Sequence, residues 1–372
     1  MFFLTPPHVK QGRQFLKDAR KLLAYKRDLV DQETVMAVER EIGHLEVALK
    51  MEDEAGIDAQ MHRVDEVCGK LTKPLPDAVW RENVEVFLVA IVIALAVRTF
   101  FLQPFTIPTG SMQPTLNGII GHKTTTPSPN VIVQVLHMAL LGRTYVDVIA
   151  KSNESIVSKE EVTRFRFFTY TKLESSANNV YYVHAPLVTV ERELLAPLGT
   201  QYRPGDPILR GYVDTGDHVF ADKVSYNFRA PKRGEVFIFS TAGIEGISAA
   251  TSQYYIKRLA GLPGDTLRIA APKLFVNGAE PSNAAFQRVM AGTLTHPVDG
   301  YHGYSNPGGF PFHFLLTPDD TFSLEPQNYF ALGDNSYNSS DSRAWGTVPE
   351  KNIMGRGLFV YWPFTSHWGW IH

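Results

Sequence analysis

Gln103-Pro104-Phe105-Thr106-Ile107-Pro108-Thr109-Gly110-Ser111-Met112-Gln113-Pro114-Thr115-Leu116 is the stretch on which the reading of this chain turns. Pro104, Pro108 and Pro114 each fix φ, remove a donor and bias the preceding residue toward an extended conformation. Gly110 is expected to permit a backbone geometry that a side chain would forbid. Such a segment is stiff and extended, and it presents the hydroxyl of Ser111 at a turn. A serine so placed is a candidate nucleophile if a base stands beside it. Without one, the stretch is a proline-rich loop leaving a helix.

Immediately before it, Val86 to Leu102 is the most apolar run in the chain, interrupted near its end by Arg98. Its length is at the short end of what spans a bilayer. Arg98 is close enough to one end to snorkel, and Trp80, Phe100, Phe101 and Phe105 stand where interfacial aromatics belong. Lys70, Lys73 and Arg81 precede the run, whereas Arg98 is the one basic residue close to its far end. The positive-inside rule then puts the N-terminus in the cytoplasm and Ser111 outside. The alternative is a buried core helix.

Further upstream the pattern is helical. Phe15, Leu16, Leu22, Leu23 and Leu29 recur at helical spacing, and Asp31 is a plausible cap for a second helix carrying Val35, Val38, Ile42, Leu45 and Leu49. Gly56 is expected to separate a third, from about Ile57 to Val67. Residues 1–73 thus read as a cytoplasmic helical region, either self-packed or a partner-binding coiled coil. Lys70 to Asp77, with Pro74 and Pro76, reads as a linker.

Downstream, residues 121–212 are β-rich, with stretches such as Arg164-Phe-Arg-Phe-Phe-Thr-Tyr170 and Tyr181-Tyr-Val-His-Ala-Pro-Leu-Val-Thr-Val190, and show no catalytic pattern. Strands punctuated by Gly and Pro follow, at Gly216 to Tyr226 and Arg233 to Phe239. In Tyr254-Tyr-Ile-Lys-Arg-Leu-Ala-Gly-Leu-Pro-Gly-Asp265, Lys257 has bulky neighbours in Tyr255, Ile256 and Leu259. Desolvation disfavours an ammonium and lowers its pKa, which is what a lysine base requires. Pro263-Gly264-Asp265 reads as the turn closing that strand. Pro272 to Gln327, including Asn306-Pro-Gly-Gly-Phe-Pro-Phe312, reads as an elaboration. The polar run from Gly333 to Gly346 follows a strand and is suited to orienting side chains. Asn338-Ser339-Ser340 matches a glycosylation acceptor by chance. Phe359 to Trp370 is an aromatic strand and tail, read as core packing, with contact at a membrane interface as the alternative.

The whole chain bounds these readings. At 372 residues there is room for two or three domains. With 36 basic and 38 acidic residues, net charge −2, there is no electrostatic footprint for nucleic acid. Cys68 is the single cysteine, so neither an intrachain disulfide nor a thiolate cluster is possible, and it reads as an inert thiol. The 12 histidines lack ligand spacing, so neither metal nor cofactor is expected. Met1 to Leu4 is too short for the apolar core of a cleavable leader.

Four stretches, in this order after an apolar run, resemble type I signal peptidases, the Ser/Lys leader peptidases of bacterial membranes. They are Ile107 to Leu116; Gly216 to Lys223 with Pro231 to Val236; Tyr255 to Asp265; and Gly333-Asp334-Asn335 through Asp341-Ser342-Arg343. The resemblance implies Ser111 as nucleophile and Lys257 as general base, with an oxyanion hole from the Ser111 backbone N–H and the Thr109 hydroxyl. Thr109 stands where serine is common. Ser339 would hydrogen-bond and orient the lysine, and Asp341 and Arg343 would buttress the region. Phe105, Ile107, Met112, Leu116, Tyr255 and Ile256 would line shallow pockets for an Ala-x-Ala cleavage site. Ser336 departs from the arginine of many members, residues 121–212 separate motifs usually adjacent, and the N-terminal helices have no counterpart in the simplest members.

The fold expected is a mainly β catalytic domain of coiled antiparallel sheets over 104–120 and 213–372. Residues 121–212 would be a β-rich insertion, 84–103 a transmembrane helix, and 1–73 the helical region. The function expected is an endopeptidase of the bacterial inner membrane, catalytic domain outside, cleaving secretory preproteins beside the lipid and close to the translocon. The alternatives are a protease cutting itself or one substrate, as LexA-like proteins do, and an inactive membrane scaffold.

Overall fold

A computed structural model describes residues 6–71, 78–164, 168–247, 253–292, 303–308 and 311–372. Its contacts fall into two units, Met1–Val92 and Ile93–His372. In the first, α1 (Pro7–Lys26), α2 (Gln32–Met51) and α3 (Glu54–Leu71) share one core. The Asp31 carboxylate accepts the Thr34 N–H at 2.8 Å, satisfying a donor that the helix itself leaves free. From there Val35, Val38, Ile42, Leu45 and Leu49 all point inward, as their three- and four-residue spacing requires. Leu29 lies beyond α1, in the turn. Gly56 sits inside the first turn of α3 instead of before it, because Asp53 accepts its N–H at 3.1 Å and starts the helix earlier. Cys68 is buried in this core, and burial pushes its thiol pKa up. Most of the expected linker, residues 72–77, and the centre of the Arg164 stretch, 165–167, lie outside the described residues.

α4 (Ala78–Phe100) carries the unit boundary within it. Trp80–Phe100 is 21 residues long with mean hydropathy 2.0 and no part of its apolar window buried. At 1.5 Å per residue it is about 31 Å long, the thickness of a hydrocarbon core. It begins earlier than the apolar run and stops at Phe100, because Leu102 already pairs as a strand.

The second unit is mostly β. β1 (Leu102–Thr106) leads into a single 3-10 turn, Gly110–Met112. Then come β2 (Ile120–Lys123), α5 (Val131–Leu141), β3 (Arg143–Ile149), β4 (Glu154–Arg164), β5 (Phe168–Ser175), β6 (Val180–Val183), α6 (Leu187–Arg192), β7 (Gln201–Tyr202) and β8 (Pro207–Asp214). These make two small sheets, β2-β8-β3 and β6-β5-β4-β7. Ile156, Leu173, Val190, Leu194 and Leu209 form a core that draws on both sheets and α6. The excursion leaves and returns at one point, since Ile120 pairs with Asp214. Two helices interrupt the β pattern read there. Pro186, its φ held at −59° as suits a helix entry, starts α6 midway through the Tyr181 stretch. Asn130 caps α5 by accepting the Val133 N–H at 3.0 Å.

The main sheet follows: β9 (His218–Asp222), β10 (Val236–Ser240), β11 (Tyr254–Gly261), β12 (Thr266–Ala270), β13 (Lys273–Val276), α7 (Ala284–Met290), β14 (Thr321–Ser323), β15 (Asn328–Leu332), α8 (Ser342–Trp345), β16 (Val348–Pro349), β17 (Ile353–Trp362) and β18 (Gly369–Trp370). Its order is β1-β9-β17-β10-β11-β15-β16, with β18 on β17, and its pairings are antiparallel. A side sheet, β13-β12-β14, packs with α7 over Leu267, Phe286 and Phe330, so the Pro272–Gln327 elaboration, as far as it is described, shares a core with β11 and β15 of the main sheet. Residues 293–302 and 309–310 of that stretch lie outside the described residues. Two strand segments matter most. β1 ends the sheet, and β11 pairs with β15 only from Arg258 onward, so among the described residues the partner strand of Tyr254–Lys257 is β10.

Candidate active site

Those two segments flank a cavity of about 380 Å³. Phe105, Thr106, Ile107, Pro108 and Thr109 line one side, and Tyr254, Tyr255, Ile256 and Lys257 the other, with Ser111 between them. Phe105 and Tyr254 meet edge to face, ring centroids 5.6 Å apart, and narrow the opening.

Ser111 sits in the 3-10 turn after β1, and the turn is held from outside. The Asn335 N–H donates to the Ser111 carbonyl at 3.0 Å, and the Asn335 side chain to the Gly110 carbonyl at 3.2 Å. Gly110 does not adopt the side-chain-forbidding backbone geometry expected of it, its φ not being positive; the position in this segment that excludes a side chain is Gly118, where a Cβ would stand 2.2 Å from the Thr109 carbonyl carbon. Gly110 itself would present a Cβ only to the flexible end of Gln113, so its permissiveness is not what the turn uses. On the other side, buried Asp217 accepts the Asn117 N–H at 2.7 Å and bonds the His367 ring at 2.8 Å.

Lys257 comes from β11, and its Nζ lies 2.8 Å from Ser111 Oγ and 3.2 Å from the Ile256 carbonyl. It is only 5 % exposed. Burial pushes its pKa down to about 8, against an upward pull from the Asp341 and Asp334 carboxylates; the Arg343 charge adds to the depression. The Thr109 hydroxyl stands 3.4 Å from Ser111 Oγ, at the cavity wall.

Beneath the pair lie two buried, bidentate ion pairs. Arg343 Nε and Nη2 each reach an Asp341 oxygen at 2.8 Å, and Arg343 also donates to the Ser305 and Ser336 carbonyls. Asp341 in addition accepts the Gly333 N–H at 3.0 Å and caps α8. Arg258 holds Asp334 through two bonds of 2.6 Å and donates to Thr115 and to the Gly234 carbonyl. This second pair was missed in the sequence. Its signal was there, in an arginine adjoining the candidate base and an aspartate after Gly333. Ser336, where arginine is common, is buried, and its Oγ accepts the Ser305 N–H at 3.0 Å.

Of the other residues singled out in the sequence, Phe105, Ile107, Tyr255 and Ile256 reach the cavity. Met112 and Leu116 do not line it; both are fully buried behind it, packed with Val219, Val236 and Val360. The 3-10 turn rotates them inward, which spacing along an extended segment does not reveal. Ile238, Tyr254, Asn338 and Ser340 complete the lining instead. Ser339 is buried, and among the described residues its Oγ has no hydrogen-bond partner, so the bond to Lys257 is not formed. It is wedged against Gly333, where a Cβ would stand 2.1 Å from Ser339 Oγ and 2.6 Å from the Ser111 carbonyl oxygen. A second groove, of about 490 Å³, shares Pro108 and Thr109 with the first and is walled partly by Glu161, Thr169 and His184 of the excursion.

The chain is similar in sequence to several known proteins. Signal peptidase I of Leptolyngbya laminosa is 29% identical over 164 residues, which cover 44% of this chain and 68% of that protein. A probable signal peptidase I-2 of Synechocystis sp. is 30% identical over 148 residues, 40% of this chain and 56% of the relative. A probable thylakoidal processing peptidase 2 of Arabidopsis thaliana is 34% identical over 159 residues, 41% of this chain and 35% of the relative. The chain thus spans between about a third and two thirds of the length of these relatives. A solved signal peptidase I from Enterococcus faecalis V583 matches 34% of this chain and 97% of its own at 23% identity, with a TM-score of 0.25. The family described as signal peptidase, peptidase S26, matches residues 80–129 and 211–362, two segments that hold Ser111 and Lys257 and flank the excursion. Together they make up more than half of the chain, which therefore belongs to the signal peptidase family, peptidase S26, a family of proteolytic hydrolases.

Proposed function

We propose that the chain is a membrane-anchored endopeptidase that removes signal peptides from secretory preproteins, with Ser111 as nucleophile and Lys257 as general base. The observation that carries this reading is the 2.8 Å contact between Ser111 Oγ and a buried lysine whose pKa is depressed to about 8. An extended peptide lies in the cavity between β1 and β11, where main-chain bonds fix its register. The narrowed, apolar cavity favours small side chains on the acyl side of the cleaved bond, as in Ala-x-Ala.

Neutral Lys257 accepts the Ser111 proton as Oγ attacks the scissile carbonyl. The oxyanion meets the Ser111 N–H and the Thr109 hydroxyl. The lysine, now an ammonium, returns its proton to the leaving amine, and water then hydrolyses the acyl-enzyme with Lys257 again as base. An ammonium has three N–H donors, and only two acceptors, Ser111 Oγ and the Ile256 carbonyl, are engaged. The unpartnered Ser339 hydroxyl is the third, turning to the lysine when it is charged. Ser339→Ala therefore lowers turnover about tenfold without lowering stability. Turnover within twofold of wild type excludes that role.

α4 anchors the protein in the membrane, N-terminus in the cytoplasm, and places the cavity next to the lipid from which a signal peptide emerges beside the translocon. The test is cleavage of an Ala-x-Ala preprotein by the full chain in detergent. Ser111→Ala and Lys257→Arg each abolish turnover, because a guanidinium supplies no neutral base. Near-normal cleavage by folded Lys257→Arg rules the dyad out, and an inert wild type favours the scaffold.

A further inference from the structure

α5 is built inside out. Its 11 residues contain two polar side chains, and both face the protein: Gln134 donates to the Pro129 carbonyl at 2.8 Å, and the His137 ring bonds the Tyr145 hydroxyl at 2.7 Å. Val131, Ile132, Val135, Leu136, Met138 and Leu140 point outward, each 50–73 % exposed. No Asp, Glu, Lys or Arg occurs from Thr124 to Gly142. A water-facing helix normally shows the reverse. Six aliphatic side chains in one contiguous face make a patch of the size that marks an interaction surface.

Its position identifies what covers it. Trp362 Nε1 donates to the Ala139 carbonyl and the Phe364 N–H to the Leu140 carbonyl, both at 2.8 Å, so α5 is moored to the end of β17. Exposed Phe364, Trp368 and Trp370 follow β17 there. Across the ladder Trp362 pairs with His218, and His218 with Thr106; α4 joins the sheet four residues away along β1, at Leu102. At 3.3 Å per residue that separation is about 13 Å. A protein partner would be met by a rim of charged and hydrogen-bonding groups. Residues 124–142 supply no charged group for such a rim, and the neighbours of the face include tryptophans, the side chains suited to a lipid–water boundary. At 1.5 Å per residue α5 is only about 16 Å long, too short to cross a bilayer and suited to lying in its surface.

We propose that α5 is a second lipid contact, lying in the interfacial plane of the same bilayer that α4 crosses and holding the cavity against the membrane surface. The inference rests on the membrane reading of α4. With no basic residue on the helix, it is driven by apolar burial and is indifferent to anionic lipid. The experiment uses the full chain, Cys68→Ala, in phosphatidylcholine vesicles, with single nitroxide-labelled cysteines at Leu136, at Val92 in α4 and at exposed Phe228. Oxygen and a water-soluble nickel chelate then report lipid and water exposure. The expected result is an oxygen-favoured ratio at Leu136 within about threefold of that at Val92, unchanged by anionic lipid, with Phe228 nickel-accessible. A nickel-accessible Leu136 beside an oxygen-favoured Val92 overturns this proposal alone. A nickel-accessible Val92 overturns the membrane reading on which it rests. Protection at Leu136 that grows with protein-to-lipid ratio means a second copy, and protection needing added preprotein means its apolar segment; either overturns the lipid assignment. As a functional arm, Ile132→Asp with Leu136→Asp leaves cleavage of a water-soluble peptide within twofold and slows that of a membrane-inserted preprotein at least fivefold. Equal rates on the inserted preprotein also overturn it.

Discussion

Replacing Lys257 by methionine destroys the proposed base and makes the protein more stable at neutral pH. The lysine pKa falls from 10.5 to about 8 on burial, and at 1.36 kcal/mol per unit the folded ammonium costs about 3 kcal/mol. Methionine fills similar volume without charge. It forfeits the 2.8 Å bond to Ser111 Oγ and the 3.2 Å bond to the Ile256 carbonyl, a loss of about 1 kcal/mol. The net gain at pH 7 is about 2 kcal/mol. Its pH dependence has a definite sign. Below pH 8 the lysine is protonated in folded and unfolded chains alike, and the full cost is present. Between pH 8 and 10.5 the unfolded chain holds the proton and the folded one does not, so wild-type stability climbs with pH. Above 10.5 both are neutral and the advantage of methionine is gone, leaving it about 1 kcal/mol worse. Urea midpoints in detergent, read by tryptophan fluorescence at pH 6 to 10.5 with slopes compared, follow this directly. A variant no more stable than wild type at pH 7, or an advantage that does not shrink above pH 8, refutes the account of a desolvated amine.

Turnover of wild type rises about tenfold per pH unit up to pH 8 and levels above it, since only the neutral amine works; at pH 7 about a tenth of the molecules are competent. A kcat/KM profile on a soluble peptide with a limb near 10.5 contradicts it. Thr109→Val slows turnover by about 10²–10³-fold with little change in KM, the cost of one oxyanion donor; an unchanged kcat removes Thr109 from the mechanism. Gly333→Ala puts a methyl 2.1 Å from Ser339 Oγ and 2.6 Å from the Ser111 carbonyl, so the serine turn must move, and turnover falls about 100-fold, as for a displacement of about 1 Å at the reacting atoms. Retained activity there means that the loop yields without shifting Ser111.

Local sequence offered Ser111 and Lys257 only as candidates, and it was the resemblance of four separated stretches that paired them; the structure brings them within 2.8 Å. What depended on local rotation was not legible. Met112 and Leu116 flank the serine in sequence, yet the 3-10 turn sends both into the core. Pockets were read from neighbourhood, whereas Ile238 and Tyr254 enter through cross-strand register. α5 escaped notice because its two polar residues face inward, which leaves an apolar string with no outward polar face to mark a helix. The Arg258–Asp334 pair joins positions 76 apart in sequence, beyond any local pattern.

β17 lies between β9 and β10 in the middle of the main sheet, although nearly every other strand of that sheet precedes it along the chain. During synthesis the sheet therefore waits, open at its centre, for residues 353–362. β1, which leads to Ser111, is joined to β9, and β11, which carries Lys257, is joined to β10. Within the ladder, the strands that carry Ser111 and Lys257 are thus on opposite sides of a gap that β17 fills. A growing chain therefore cannot close this sheet until residues 353–362 have been made, and the central strand is among the last to be laid in.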